Sequence, residues 1–312
     1  MSKSTSIPGV IDFMKYKWLY FTISAVVIIP GLYALIVWGL KPGIDFTGGT
    51  LLEISVPAQS PINETVIKNS AGDLPLSSVQ PSGKNTFLIR LKPIDSDQAE
   101  AFKLAIASNS GLLSASPSAR LGIDNLIKEL RFETVGPTLG KELLQKTLIA
   151  VLISSTFITL YVAYRFKNLK FGVSAILAMF HDTLVVLGIF ALLGHFYGVE
   201  VDTLFVTAVL TTLSFSVHDT IVVYDRIREK SRKFPSLDHS TMINVAISET
   251  MARSINNSMT IVFMLLALIL FGGVTIRWFV LALLIGTVSG TYSSPFVAGP
   301  LLLVWDKLFK KR

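Results

Sequence analysis

Hydrophobic and polar positions follow one another along this chain in long blocks. Residues 18–40, 254–276 and 278–305 carry no charged side chain, and residues 147–164 form a shorter run of the same kind. Residues 171–194 and 203–224 are apolar as well, except for one His-Asp pair in each. Because a helix needs about 20 apolar residues to cross the hydrocarbon core of a bilayer, the pattern predicts six membrane-spanning helices.

The flanking polar residues set the limits of these predicted spans. The spans are residues 18–40, 143–164, 171–194, 202–224, 258–276 and 278–305. The first run is longer than the core of a cleavable signal, which holds about 7–15 residues, and no small-x-small cleavage pattern precedes Lys41. We therefore expect it to be retained as a first span, between a tail at residues 1–17 and the block that follows.

Residues 41–142 have the ordinary composition of a water-soluble domain. The segments "GGTLLEISV", "NTFLIRLK" and "LIKELRFETV" are typical of strands. The segments "INETVIKNSAG" and "SDQAEAFKLAIASNSG" are typical of helices, and Ser96 is a candidate N-cap of the second. This order predicts a small two-layer α+β domain of the split βαβ type.

Charge supports a membrane protein and gives its expected orientation. Only 16% of the residues are charged and 51% are hydrophobic, against about 25% charged residues in soluble domains. Lys and Arg cluster in the N-terminal tail, after the second span, after the fourth span and in residues 306–312. The positive-inside rule therefore places both termini in the cytoplasm and residues 41–142 outside it. The net charge of +7 follows from this topology, which argues against a nucleic-acid surface.

Residues 225–257 form the one long connection predicted on the cytoplasmic side. Its segment "LDHSTMINVAISETMARSINNS" carries an apolar stripe at helical spacing. The stripe consists of Met242, Val245, Ala246, Ile247, Met251 and Ile255. It predicts an amphipathic helix lying at the membrane interface.

The two His-Asp pairs lie in a repeated hexapeptide, "HDTLVV" from His181 and "HDTIVV" from His218. An Asp at the centre of a membrane helix costs about 2.5–3.5 kcal/mol on insertion, and such acids mark ion pathways in most cases. Asp182 and Asp219 both fall in the cytoplasmic half or middle of the predicted membrane. Arg253 precedes the fifth span and approaches from the same side.

A carboxylate paired with a guanidinium stays ionised, whereas removal from water favours the protonated form. Asp219, alternating between these surroundings, is the predicted proton switch. The alternative is that Asp219 snorkels to the interface or caps a neighbouring helix. Asp225, in the following basic cluster, belongs with the solvated residues.

The residues argue against two enzyme classes. The segment "VVYD" resembles one motif of intramembrane aspartyl proteases, but the Gly-x-Gly-Asp element of that class is absent. The four histidines lack metal-ligand spacing and the chain has no cysteine, so neither a thiolate metal site nor a disulfide is expected. We expect no enzymatic activity, no metal and no cofactor.

Four motifs resemble the SecD/SecF family of protein-export membrane proteins, within the resistance-nodulation-division superfamily. They are "GIDFTGGT", "ETVGPTLGKEL", "HDTIVVYDRIRE" and "ETMARSINNSMT", in this order. The resemblance spans the whole chain. It implies a six-helix membrane bundle with a ferredoxin-like extracytoplasmic domain, in an accessory subunit that pairs with SecD and binds the SecYEG channel. Together they would use the proton motive force to draw preproteins out across the plasma membrane.

The same resemblance assigns roles to single positions. Asp219 and Arg253 match the proton path of the family, to which the residue pattern adds Asp182, His181 and His218. In "DFTGG", residues Asp45, Phe46, Thr47, Gly48 and Gly49 form a turn and a rigid junction, with a substrate contact at Phe46 as the alternative. In "VGPTLG", residues Gly136, Pro137 and Gly140 form a stiff hinge into the second span.

Two other functions remain open at this stage. One is half of a small-molecule exporter of the same superfamily, although such exporters carry larger external regions than residues 41–142. The other is a structural scaffold for the translocation channel without proton chemistry. A scaffold would be indifferent to the charge of Asp219.

Overall fold

The computed structural model describes residues 11–112, 126–166 and 168–309. The chain divides into two compact units. One comprises residues 1–41 and 149–312, and the other comprises residues 42–148. Each unit has a core of its own.

The unit of residues 42–148 is built on one antiparallel sheet. Its strands are β1 (Gly49–Ser55), β2 (Leu76–Gly83), β3 (Thr86–Leu91) and β4 (Lys128–Val135), in the order β2-β3-β1-β4. A short helix α2 (Ile44–Thr47) precedes β1, α3 (Glu64–Ser70) follows it, and α4 (Ser96–Asn109) follows β3. Strand β1 lies in the middle of the sheet, and Leu52, Ile54, Phe102 and Ile106 form part of the core. The βαββαβ order and the strand order are those of a ferredoxin-like domain, which confirms the predicted fold class.

Two details of this domain differ from the sequence prediction. Strand β2 was not predicted, because its stretch holds Pro81 and several serines. The strand is at an edge of the sheet, where a missing backbone N–H is tolerated. The N-cap of α4 is Asp95 and not Ser96: its carboxylate accepts from the backbone N–H of Gln98 at 2.8 Å, and the Asp95 N–H donates to the side-chain oxygen of Gln98 at 3.1 Å. This is a reciprocal capping box.

The other unit is a bundle of long helices. They are α1 (Lys17–Val37), α5 (Pro137–Phe166), α6 (Leu169–Tyr197), α7 (Thr203–Lys233), α8 (His239–Phe271), α9 (Arg277–Ser293) and α10 (Gly299–Phe309). The first residues of α5, 137–148, belong to the unit of residues 42–148. A five-residue π-helical turn, Ser294–Ala298, joins α9 to α10. By length and composition, six segments of the described chain could cross a membrane. The six-helix membrane class predicted from the sequence is thereby confirmed.

The helix ends follow from local chemistry. Asn168 caps α6, and Asp202 caps α7 by accepting from the N–H of Phe205 at 2.8 Å. Asx side chains satisfy the backbone donors that the first turn of a helix leaves without partners. Helix α6 ends at Gly198, whose φ of 68° lies in the left-handed region, as in many helix C-termini.

The interfacial helix predicted within residues 225–257 is not a separate element. Helix α7 continues to Lys233, and α8 then runs without a break from His239 to Phe271. Part of the apolar stripe packs into the bundle: Met242, Ala246 and Ile247 are at most 5% exposed, and the latter two belong to its core, whereas Ile255 is 43% exposed. The buried part of the stripe therefore packs against helices of the same unit.

Two glycines allow α1 to lie directly against α6. A Cβ at Gly31 would come within 2.9 Å of Gly188 Cα, and a Cβ at Gly188 within 2.6 Å of Gly31 Cα. Small residues at such crossings let membrane helices approach at backbone distance. The first helix is therefore an integral member of the bundle.

Candidate functional site

Asp182 lies at the centre of a buried polar cluster in the helix bundle. Its carboxylate is 0% exposed and accepts hydrogen bonds from the hydroxyls of Ser289 and Ser293, each at 2.6 Å. Both serines are on α9, and their four-residue spacing places them on one face of that helix. Every oxygen of Asp182 therefore has a partner from inside the same chain.

His181 connects this cluster to α1. Its Nδ1 lies 3.0 Å from Asp182 Oδ1, and its Nε2 lies 2.9 Å from the hydroxyl oxygen of Ser24. The ring is buried and both of its nitrogens are engaged. The pair thus joins α1, α6 and α9 in one network of hydrogen bonds.

Asp219 is placed differently, near the middle of α7. Its side chain is half-buried, and it accepts a hydrogen bond of 2.6 Å from the hydroxyl of Ser254 on α8. The Ser294 side chain and the charge of Asp182 also interact with it. His218, its neighbour in the repeat, is exposed. The second His-Asp pair therefore lies at the margin of the polar cluster and not inside it.

A small cavity with a wall of polar and apolar residues adjoins Asp219. Its volume is about 20 Å³, and its wall includes His218, Asn257, Ser258 and Thr291. A cavity needs about 10–15 Å³ and two to four polar partners to hold one water molecule. Asp219 therefore faces a space that fits a water, a surrounding in which a carboxyl group can exchange a proton.

Arg253 forms no pair with Asp219 in this structure. It is exposed on α8. Consecutive residues of a helix are rotated by about 100°. Because Ser254 is the residue that points at Asp219, Arg253 points away from it. The predicted carboxylate–guanidinium pair is absent from this arrangement of the helices.

The remaining predicted motif residues come together in the ferredoxin-like domain. A Cβ at Gly140 would lie 2.8 Å from the backbone nitrogen of Gly48, and a Cβ at Gly48 would lie 2.8 Å from Pro137 Cα. Gly48 and Gly49 have φ values of 74° and 139°, which side chains rarely adopt. The segments "DFTGG" and "VGPTLG" thus pack on each other at backbone distance.

The other members of the two motifs fit this junction. Asp45 lies in the first turn of α2, and the hydroxyl of Thr47 donates to the carbonyl of Gly43 at 3.0 Å. Gly136 precedes α5. Phe46 is only 6% exposed, so a substrate could not contact its ring in this conformation. The burial favours the structural interpretation of "DFTGG".

Sequence reasoning missed the hydroxyl groups that hold the two acids. These are Ser24, Ser254, Ser289 and Ser293. A four-residue spacing of serines within the apolar run 278–305 was the available signal for two of them. Within the described residues, no group of three or more His, Asp or Glu side chains could hold a metal ion.

Comparison with known families extends these observations. Residues 119–308 match the family model of the C-terminal part of SecD/SecF, described as a protein export membrane protein. Residues 33–56 match the SecD/SecF GG motif, which includes Gly48 and Gly49. The two matches therefore cover both His-Asp pairs and the glycine junction.

Curated relatives are similar along nearly the whole chain. Protein translocase subunit SecF of Thermobaculum terrenum is 40% identical over 312 residues, covering 95% of this chain and 94% of the relative. The subunit of the same name from Synechocystis sp. is 35% identical over 311 residues, covering 95% of each.

Solved structures give the same relationship. The crystal structure of SecDF from Thermus thermophilus, described as a translocon-associated membrane protein, superposes with a TM-score of 0.81 at 30% identity. The match covers 96% of this chain and 39% of that one. A structure of SecDF in a super-membrane-facing form superposes with a TM-score of 0.66 at the same identity, over 97% of this chain and 40% of that one. This chain therefore spans about two fifths of the SecDF chains.

Proposed function

This chain belongs to the SecD/SecF family of protein-export membrane proteins, and we propose that it is the SecF-type subunit of a Sec preprotein translocase. In this proposal it is not an enzyme. It pairs with a SecD partner, associates with the SecYEG channel and couples the proton motive force to the late steps of preprotein export. The relatives' names and the match to SecDF support the export role and the pairing.

The proposed location is the plasma membrane, with both termini cytoplasmic and the ferredoxin-like domain on the opposite side. The clusters of Lys and Arg at alternate ends of the apolar runs support this orientation. A proton that moves down the membrane potential then supplies about 2.3 kcal/mol per 100 mV. This is the free energy that the subunit would pass to the preprotein.

Asp219 is the proposed proton carrier. The observation that carries this assignment is its half-buried carboxylate in a membrane helix, next to a cavity that fits one water. Asp182 is less suited to exchange protons with water, because its oxygens are occupied by hydroxyl donors and it is fully buried. We assign Asp182 and His181 to the frame that positions the path, and His218 to its open margin.

Arg253 completes the proposed path in a second arrangement of the helices. A rotation of α8 by about 100° would replace the Ser254 hydroxyl at Asp219 with the Arg253 guanidinium. A guanidinium at this distance favours the ionised carboxylate, and its withdrawal favours proton uptake. Alternation between the two neighbours would couple proton binding to a movement of α8.

The decisive experiment uses the full chain with a SecD partner and SecYEG in membrane vesicles. Preprotein release is measured with and without a proton gradient for Asp219→Asn and Asp219→Glu. We expect Asp219→Asn to lose the gradient-dependent part of release while it still co-purifies with SecD, and Asp219→Glu to retain part of it. Asp225→Asn on the same helix is the matched control, because Asp225 pairs with Arg165 and Arg228 near the end of α7.

Each competing function predicts a different result. If Asp219→Asn retains full gradient-dependent release, Asp219 is not the proton carrier, and the result favours the scaffold function. Failure of the wild-type chain to co-purify with SecYEG would favour a small-molecule exporter. Arg253→Met should lose gradient-dependent release as Asp219→Asn does; normal release would reduce Arg253 to an interfacial anchor.

A further inference from the structure

A cavity lined with cations lies at one end of the helix bundle, away from the two His-Asp pairs. It consists of an inner part of about 360 Å³ and an outer part of about 510 Å³, which share Asn168, Lys170, Ser231 and His239. We call the two parts together the basic cavity. Its wall comes from the last residue of α5, the first turns of α6 and α8, the last turns of α7, and α10.

The inner part has a strongly one-sided charge. Lys170, Arg228 and Arg232 line it, and no acidic side chain does. Arg228 and Arg232 are four residues apart on α7 and so lie on one face, where like charges destabilise a helix. An anion between them would remove that repulsion.

The acids around the basic cavity do not balance its cations. Asp225 is shared between Arg165 and Arg228, the latter at 3.5 Å. Asp306, in the outer part, binds Lys170 at 3.2 Å and also pairs with His239. Arg232 has no ion pair with any residue that the structure describes. Two carboxylates, Asp225 and Asp306, therefore stand against four Lys and Arg side chains, and His239 is not included in this count.

Arg232 is an exception on its helix. On the other face of the same segment, Arg226 pairs with Glu229 and Glu249, and Lys233 pairs with Glu229 at 2.7 Å. Lys230 pairs with Glu249 as well. Since the neighbouring cations have carboxylate partners, the unpaired guanidinium at the basic cavity is available to a ligand.

The neutral wall of the basic cavity fits an amphiphilic anion. Ser231 and Asn168 add uncharged polar groups beside the cations, and Phe166, Phe171 and Trp305 add apolar surface. Arginine side chains favour phosphate because their N–H groups match its oxygens in pairs. Basic pockets between membrane helices bind anionic headgroups by this chemistry.

We propose that the basic cavity binds a phosphate group, of the class that an anionic phospholipid headgroup or a soluble phosphate presents. The phosphate lies in the inner part between Lys170, Arg228 and Arg232, with Ser231 as a hydroxyl donor. The remainder of the ligand occupies the outer part, against Trp305. This site is separate from the proton path and does not depend on it.

The test measures thermal unfolding of the purified full chain in a neutral detergent at increasing ligand concentration. The probes are short-chain phosphatidylglycerol, short-chain phosphatidylcholine and inorganic phosphate. A ligand that binds only the folded state stabilises it by RT ln(1 + c/Kd) at a free ligand concentration c, so the unfolding midpoint rises with ligand concentration and rises more for a tighter ligand. We expect phosphatidylglycerol to raise the midpoint and phosphatidylcholine to have little effect. An equal rise with inorganic phosphate would support the site and identify the soluble source.

The matched variants are Arg232→Gln and Lys233→Gln, which remove one charge each from adjacent positions of one helix. Lys233 is 62% exposed and faces away from the basic cavity. Arg232→Gln should weaken binding about tenfold, as expected for loss of a hydrogen bond to a charged group. Lys233→Gln should change it by no more than about twofold.

A second pair of variants keeps the test decisive if Arg232→Gln folds poorly. Ser231→Asp places a negative charge in the inner part and should abolish the rise in midpoint, whereas Ser231→Asn should preserve it. Equal losses in Arg232→Gln and Lys233→Gln would show a diffuse attraction to surface charge and overturn the proposal. Absence of any rise with all three probes would overturn it as well.

Discussion

The hexapeptides that begin at His181 and His218 differ at one position, yet they have opposite surroundings. Asp182 is fully buried, with two serine hydroxyls and a histidine ring on its oxygens. Asp219 has the hydroxyl of Ser254 and a cavity that fits one water. The neighbouring helices create this difference: α9 presents serines to the first acid, whereas α8 leaves space beside the second. Nearly identical local sequence can thus position the helices at one place and provide an exchangeable acid at another.

The largest expected effect separates the two acids by stability. In Asp182→Asn, the amide NH₂ cannot accept a hydrogen bond, so one buried serine hydroxyl would lose its acceptor. We expect a loss of about 1.5–3 kcal/mol in the free energy of unfolding, the range for hydrogen bonds to charged groups. Asp219→Asn should cost no more than about 1 kcal/mol, because the cavity leaves room to adjust.

Thermal unfolding of both variants in one detergent checks this contrast. Ser289→Ala and Ser293→Ala each remove one hydroxyl donor to Asp182. We expect their losses in the free energy of unfolding to lie between those of Asp182→Asn and Asp219→Asn. Equal losses for Asp182→Asn and Asp219→Asn would show that both acids are structural, and the comparison would fail.

A second, smaller effect concerns the water-sized cavity. The hydroxyl of Thr291 lies in its wall, 2.6 Å from the hydroxyl of Ser258. Thr291→Val keeps the shape of the side chain and removes this polar partner of a bound water. A hydrogen bond worth about 1 kcal/mol corresponds to about fivefold in rate, so we expect gradient-dependent export to fall by this factor.

Thr211→Val is the matched control for the cavity. The hydroxyl of Thr211 donates to the carbonyl of Thr207 at 2.7 Å. Thr211 is not part of the cavity wall. We expect this variant to export normally. If both valine variants export at the wild-type rate, the cavity has no part in proton exchange.

The smallest expected effect concerns the hydroxyl of Ser254, which donates to Asp219 beside the Ser294 side chain. Ser254→Ala removes a hydrogen bond of 2.6 Å and should lower the free energy of unfolding by about 1 kcal/mol. Ser248→Ala on the same helix, whose hydroxyl bonds only the carbonyl of Asn244, should lower it less. A loss in Ser254→Ala as large as that in Asp182→Asn would place Asp219 in the rigid frame too.

The sequence predicted the long helices well, because the backbone N–H and C=O groups of each apolar run must find their hydrogen-bond partners within the run when it lies in a bilayer. It also predicted the order of strands and helices in the ferredoxin-like domain, except for β2, whose Pro81 is tolerated only because the strand lies at an edge. Both features depend on patterns that are local in sequence.

The details of the candidate site depend on helix rotation, which the sequence pattern does not determine. Arg253 and Ser254 are adjacent, and the choice between them at Asp219 depends on how α8 packs against α7. The serines around Asp182 come from helices more than a hundred positions away in the chain. An acid in an apolar run is easily recognised in the sequence. Its hydroxyl partners are not, because they resemble many other small residues of the membrane helices.

The number of residues in the π-helical turn Ser294–Ala298 sets the rotation of α10 relative to α9. Before this turn, α9 directs Ser289 and Ser293 to Asp182; within and after it, the carbonyl of Ala298 accepts from the Tyr224 hydroxyl and Leu302 enters the core. Deleting a single residue there would turn α10 by about 100° relative to α9. Many substitutions in this turn would be tolerated more easily than that deletion, which would shift every later contact out of phase.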